Sequence, residues 1–312
     1  MIKRKDECTD MDKILHITLE DGQARAMVAV TTDLVEAARA THGLTPTASA
    51  ALGRTLTISA IQGAMLKNAN DSVTVTIRGG GPIGPVVCVA RADGKVKGYV
   101  GDPNIDLPLK PNGKLDVGGA VGSTGHVTVV KDLGLRDPYV GQTRVVSGEI
   151  AEDMAFYLTV SEQTPSLVSL GVLCEGGHVL GAGGILIQPL PGCSEAVLQR
   201  LEALAPHLAG VSTMARELGD AETLAARALS GFSYTVLQET APAFQCDCCR
   251  ERIERALLSM GEAELRDMIA EQHGAQVSCH FCNKTYEFTE QQLLWLLYEA
   301  KGEASPARGG NQ

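Results

Sequence analysis

An α+β fold follows from three features of the sequence. Strand-like runs lie next to one another across glycine turns, helical runs come in blocks and not in strict alternation with strands, and 44% hydrophobic against 21% charged residues is an ordinary globular composition. At 312 residues the chain is long enough for about two domains of roughly 150 residues each. The expected arrangement is an N-terminal domain of mixed or antiparallel sheet with packed helices, then a helical linker region, then a small cysteine-bearing C-terminal module.

Ile14 to Leu19 and Arg25 to Val30 flank Asp21-Gly22 and predict a hairpin. Thr32 or Asp33 caps a short helix reaching Ala40, and Pro46 opens a longer amphipathic helix running to about Asn68. Ser72 to Arg78 alternates Val, Thr, Val, Thr, Ile, the period of a half-buried strand. Further strands are expected at Val86 to Ala90, Lys95 to Val100, His126 to Val130 and Thr143 to Ser147, punctuated by Gly79-Gly80-Gly81, Asp93-Gly94 and Asn112-Gly113. Glu149 to Gln163 reads as a helix. Ser166 to Cys174 and His178 to Gln188 form a second hairpin about Glu175-Gly176-Gly177. Together these elements make a core domain over 1–192. Past Pro191-Gly192 come short alanine-rich amphipathic helices, Ser194 to Leu208, Val211 to Leu218 and Ala221 to Leu229, each marginal alone. With the strand-like connector Phe232 to Gln245 they form the linker region, 193–245. A compact module follows at 246–303, and 304–312 is expected to fray.

Charge and composition then exclude several functions. A net charge of −10 and only 4% aromatic residues argue against nucleic acid as a partner. The longest apolar run, Leu293 to Tyr298, is six residues where a membrane span needs about 20, so no membrane association is expected. Met-Ile-Lys-Arg-Lys-Asp-Glu-Cys at the N-terminus lacks the apolar stretch of a signal peptide, which points to the cytoplasm. No G-x-x-x-x-G-K-[ST], H-E-x-x-H or G-x-S-x-G occurs. The glycine clusters at 79–84 and 181–184 read as turns or hairpins in preference to phosphate cradles. Asp153 and Glu162 could be imagined as an acid–base pair, but a solvated helix face is the simpler reading and no nucleophile accompanies them. No catalytic residue is nominated, and an enzyme is not expected.

Cysteine usage is the informative anomaly. Nine is many for a cytoplasmic chain, and an odd number does not suit a closed disulfide framework. Cys8, Cys88, Cys174 and Cys193 are scattered, with Cys88 and Cys174 inside apolar runs where buried inert thiols are usual. The other five, Cys246, Cys248, Cys249, Cys279 and Cys282, crowd the last quarter. Cys246-Asp247-Cys248, thirty residues, then Cys279-His280-Phe281-Cys282 gives two thiolate pairs with short bites, suited to tetrahedral coordination of one zinc per chain. His280 competes as a ligand, but four sulfurs already complete the tetrahedron. A permanent staple is the simplest purpose, since about 55 residues enclose little core. Four thiolates around a divalent ion nevertheless carry net negative charge and are open to peroxide or hypochlorous acid. Each pair is close enough in sequence to collapse into its own disulfide, which would forfeit the roughly 10–16 kcal/mol of metal binding that folds such a module. Cys249 adjoins the helix-like run Arg250 to Leu258 and is expected to be a spectator while the metal is bound.

These cysteines, with Ser161-Glu162-Gln163-Thr164-Pro165-Ser166, Gly183-Gly184-Ile185-Leu186-Ile187-Gln188-Pro189-Leu190-Pro191-Gly192, and Val129-Val130-Lys131-Asp132-Leu133-Gly134 followed by Pro138-Tyr139-Val140-Gly141, resemble the redox-regulated bacterial heat-shock chaperones known as the 33-kDa chaperonins. The likeness covers essentially the whole chain. It implies an ATP-independent holdase, inactive when reduced and zinc-bound, with ligands Cys246, Cys248, Cys279 and Cys282. It further implies that oxidation forms the disulfides Cys246–Cys248 and Cys279–Cys282, releases zinc, unfolds the module and linker, and yields a homodimer that binds unfolding client proteins. Cys249 stands where that family more often has a small non-thiol residue, which leaves a Cys246–Cys249 bridge as a competing pairing. Two other functions fit parts of the pattern. A zinc-ribbon nucleic-acid module needs a basic tail, yet residues 246–301 hold six basic against ten acidic residues. A thiol-disulfide oxidoreductase would place Cys279-x-x-Cys282 at the start of a helix after a buried strand, and no such pattern surrounds it.

Overall fold

The structure, a computed structural model, describes residues 12–301. The N-terminal stretch through Cys8 and the tail at 304–312 lie outside the described residues. The chain divides into two compact units, Met1–Gln245 and Cys246–Gln312.

The first unit opens with β1 (Lys13–Leu19) and β2 (Ala24–Val30), antiparallel and joined by a tight turn in which Asp21 takes φ 53°. Then follow α1 (Thr32–His42), α2 (Pro46–Ala64), β3 (Ser72–Arg78), β4 (Val86–Arg91) and β5 (Lys95–Val100). Next come α3 (Val117–Val121), β6 (His126–Asp132), β7 (Tyr139–Arg144), α4 (Ile150–Val160), β8 (Leu167–Glu175) and β9 (His178–Pro189). Three helices, α5 (Glu195–Leu204), α6 (Val211–Leu218) and α7 (Ala221–Ala228), precede β10 (Tyr234–Thr240) and β11 (Ala243–Phe244). The strands form two sheets, ordered β10-β1-β2-β9-β8 and β11-β5-β4-β3-β6-β7, with every pairing antiparallel except β11 beside β5. The molecule is α+β, as the sequence predicts.

Helix α2 lies between the two sheets, against β3, β4 and β5 of one and β2, β8 and β9 of the other. The sequence pattern predicts an amphipathic helix here, but α2 is buried on nearly all sides. Its composition explains how. Ala48, Ala50, Ala51, Gly53, Ala60 and Gly63 let both sheets approach, and the Thr55 and Thr57 hydroxyls donate back to the Ala51 and Gly53 carbonyls. α1 begins without a side-chain cap from Thr31. Instead the distant Asp12 carboxylate accepts from the Asp33 and Leu34 amides at 3.0 and 2.6 Å.

Both faces of the first sheet are covered. Ile14, Met27, Ala29 and Leu186 face α2, while Leu15, Ile17, Val28, Val30 and Ile187 face a second core with Val197, Leu201, Leu208, Leu224 and Leu229 from the 195–229 region. β10 and β11 return the chain to the sheets it started from, as added edges on β1 and β5. Residues 181–184, expected as a turn or hairpin, run inside β9. A Cβ at Gly184 would meet Leu170 and Thr57, and one at Gly181 would meet the Ser212 carbonyl of α6, so these glycines permit close helix-on-sheet packing. The strand expected at Thr143 to Ser147 lies earlier, at β7.

The second unit contains α8 (Arg250–Met260), α9 (Glu262–Gln272), the hairpin β12 (Gly274–Ser278) and β13 (Thr285–Thr289), and α10 (Glu290–Lys301). Leu257, Leu265, Ile269, Phe288, Leu293 and Leu296 centre its small core.

Candidate metal centre

Four thiols meet in the second unit. Cys246 and Cys248 lie on the segment leading into α8, Cys279 follows β12, and Cys282 lies in the turn to β13. That turn is built by its own backbone. The Cys279 amide donates to the Lys284 carbonyl at 2.9 Å, the Asn283 amide donates to the Cys279 carbonyl at 2.8 Å, and Asn283 adopts φ 58°, so the chain reverses tightly and turns both sulfurs the same way.

The Sγ atoms of Cys246, Cys248, Cys279 and Cys282 all lie within 4.8 Å of one another, with Cys246 to Cys279 at 3.7 Å and Cys248 to Cys282 at 3.3 Å. A tetrahedron with metal–sulfur bonds of about 2.3 Å has edges of about 3.8 Å, so this spread fits a four-sulfur site. A set of four sulfurs also favours a soft or borderline cation over magnesium or calcium. Cys279 is buried and the other three are half-buried, so the cluster is partly accessible to solvent.

Tyr286, on β13, donates its hydroxyl to Cys248 Sγ at 3.2 Å. Burial alone would raise the Cys248 thiol, but the Tyr286 hydroxyl and the neighbouring sulfurs of Cys282, Cys246 and Cys279 pull it down to about 7. Burial raises Cys246 and Cys282. The Tyr286 hydroxyl is itself raised, first by its bond to Cys248 and then by burial. Arg250 ties the segment down beside the site: its guanidinium stacks 4.2 Å from the Phe288 ring centroid and donates to the Glu287 carbonyl and to Gln292 Oε1 at 3.1 and 2.9 Å. Cys spacing carries no signal for either residue. Both are placed by pairings 37 to 42 residues apart in the chain.

The remaining candidates lie elsewhere. Cys249 is exposed at the start of α8, and His280 is exposed in the turn; neither belongs to the cluster of four. Cys88 is buried on β4, where burial raises its thiol well above the usual range, and Cys174 is half-buried on β8 with its thiol pushed up to about 11 by burial. Asp153 is fully buried, not on a solvated face: it accepts from the Val146 and Ser147 amides at 2.7 and 3.1 Å. Glu162 pairs with Lys131 at 2.5 Å. Each of these carboxylates already has a structural partner.

Comparison with known proteins points one way. The family described as Hsp33 protein matches residues 12–289. A 33 kDa chaperonin of Clostridium perfringens (strain 13 / Type A) is 46% identical over 290 residues, covering 92% of this chain and 91% of its own length. Another, of Clostridioides difficile (strain 630), is 45% identical over 288 residues, covering 92% and 99%. Among solved structures, the 33 kDa chaperonin (heat shock protein 33 homolog) of Thermotoga maritima matches with a TM-score of 0.82 at 34% identity, over 94% of this chain and 100% of that one.

Proposed function

The chain belongs to the Hsp33 family, and from that premise we propose that it is an ATP-independent holdase of the cytoplasm, switched on when its cysteine centre is oxidised. The observation that carries this reading is the gathering of Cys246, Cys248, Cys279 and Cys282 within 4.8 Å at a partly accessible site. We assign these four as the ligands of one zinc ion in the reduced protein. Zinc, when bound, would supply a cross-link between the lead-in to α8 and the turn of the β12–β13 hairpin.

The protein's own residues do the rest. In the reduced state Arg250, Phe288 and Gln292 hold the lead-in segment against β13 and α10, and the small core around Leu257, Leu265 and Leu293 stays closed. On oxidation the favoured pairs are Cys246–Cys248 and Cys279–Cys282, with Cys246–Cys249 as the competitor. Such bridges tie each strand of the site to itself and no longer to the other. The module then loses the link between its two halves, and a core of this size does not hold alone. Its apolar residues become available to unfolding clients. On the first unit Tyr234, Val236 and Leu237 of β10 are exposed as well, and the segment 193–245 is the part of that unit nearest in sequence to the change. The oxidised form is expected to be a homodimer.

The test measures zinc content, free thiols and suppression of thermal aggregation of an unrelated client, before and after treatment with peroxide and without nucleotide. One zinc per reduced chain, lost as activity appears, is expected. Equal suppression by the reduced, zinc-loaded protein would end the redox reading while leaving family membership intact.

A further inference from the structure

Tyr286 is the residue of the centre that the proposed ligand set does not account for. On β13 it faces inward and is only 6% exposed, opposite Val277 across the hairpin, with its ring in the core of the module. Its hydroxyl extends beyond that core to Cys248 Sγ at 3.2 Å. The Lys284 ammonium lies 5.1 Å from the ring centroid, an attraction that adds to the packing holding the ring in place. Because packing fixes the ring, the donor is held in place before any chemistry begins.

A hydrogen bond to a thiolate has two effects. It stabilises the ionised sulfur that a metal requires, and in a sulfur already ionised it withdraws electron density, which weakens that sulfur as a nucleophile. We infer that Tyr286 is a positioning residue that guards Cys248, holding its sulfur in the reduced site and slowing its reaction with peroxide. This inference rests on the oxidation-switched reading above and adds to it the group that sets the threshold. In the reaction, a thiolate attacks one oxygen of hydrogen peroxide, the O–O bond breaks, a proton is taken up, and sulfenic acid and water are formed. The second thiolate of the pair attacks that sulfur, the S–O bond breaks, another proton is taken up, and a second water leaves as the disulfide forms. Two electrons pass from two sulfurs to one peroxide. By lowering the electron density at Cys248, Tyr286 slows whichever of these two attacks Cys248 makes.

The test uses the full-length protein, reduced and zinc-loaded, mixed with hydrogen peroxide and followed by a colorimetric zinc indicator, with Cys248 oxidation read by alkylation and peptide mapping. Tyr286→Phe keeps the ring and removes the hydroxyl. Zinc release and Cys248 oxidation should be about tenfold faster than in the unmodified protein, with far-UV circular dichroism unchanged. 3-Fluorotyrosine placed at position 286 is a stronger donor and should slow both. A chelator challenge without oxidant measures zinc affinity separately, and here Tyr286→Phe should release zinc more readily as well. A purely structural role for the ring predicts equal rates in Tyr286→Phe and the unmodified protein, and that result overturns the inference alone. If Tyr286→Phe emerges without zinc, the fluorotyrosine protein decides, and an unchanged rate there overturns the inference. If the unmodified protein holds no zinc, or keeps it under peroxide, the proposed function fails and takes this inference with it.

Discussion

Removing one sulfur from a four-sulfur site leaves three protein ligands and a fourth position open to water, so Cys282→Ser should lose zinc on purification or bind it far more weakly, while His280→Ala should keep it. Metal analysis of the two variants decides: full-affinity zinc in Cys282→Ser would mean another donor completes the site. Cys249 is tested by peptide mapping after oxidation. The expected major bridge is Cys246–Cys248, and a dominant bridge through Cys249 would show that its exposure at the start of α8 outweighs the proximity of the gathered pair. Asp12 gives a pH signature. Burial pushes its carboxyl up to about 7, against the amides of Leu34 and Asp33, which lower it. The folded value thus lies above the unfolded value of 3.8. Below about pH 4 both states are protonated and the contribution to stability is complete. As the pH rises from there to 7, the unfolded chain has released the proton and the folded chain still binds it, so the contribution is lost, by at most about 4 kcal/mol. Asp12→Asn should remove that falling component from urea-denaturation curves between pH 4 and 7, and parallel curves for the two proteins would rule it out. The four cysteines are legible in the sequence because their spacing is local within each pair. Tyr286 and Asp12 are not, since each meets its partner only through the fold, 38 and 22 residues away.

Elements whose pattern is set by one exposed and one buried face were readable. β3 and β4 alternate buried and half-buried along their length, and the sequence places both within a residue. The misreadings share a cause, which is burial or exposure that breaks the period. β7 is an edge strand whose Tyr139 and Val140 are exposed, so its apolar residues carry no alternating signal, and Val145 and Val146 just beyond shift the expected strand too late. α3 is five residues with two adjacent glycines, held by the Asp116 side chain accepting from the Gly119 amide; no propensity announces it. α2 is buried on nearly every side, and a helix between two sheets has no polar face to define a stripe. Its tolerance is correspondingly small. A Cβ at Gly53 would lie 2.5 Å from Val35 Cγ1 and 2.8 Å from Val172 Cγ2, both on stiff β-branched side chains. Gly53→Val should therefore destabilise the first unit by about 3 kcal/mol through overpacking. The midpoint of urea unfolding reports it, and a shift of less than a few tenths of a kcal/mol would show that α1 and β8 yield more easily than the packing implies.

At the scale of the molecule, the order in which the chain opens once the proposed zinc is released follows from the packing of the first unit. Sequence composition alone singles out the short helices over 195–228 as the segment to melt, because each is marginal by itself. In the fold they are not by themselves: Leu201, Leu208, Val211, Leu224 and Leu229 are nearly inaccessible against the outer face of the five-stranded sheet. Burying five such side chains contributes on the order of 10 kcal/mol before entropy is charged against it. β11 is weaker, with two residues in parallel pairing on β5, and it ends two residues before Cys246. β10 is intermediate: six register pairs with β1, an irregularity between His16 and Ile17, and side chains that are mostly exposed, Leu237 at 68%. Opening should therefore start in 246–301, spread to β11 and then β10, and reach the helices last. Hydrogen exchange followed by mass spectrometry on the reduced and the peroxide-treated full-length protein measures this. The expected result is wholesale loss of amide protection in 246–301, partial loss in 234–244, and little change over 195–229. Loss across 195–229 with 234–244 still protected would reverse the order, and would mean that the helical layer holds less firmly to the sheet beneath it than the burial of its side chains implies.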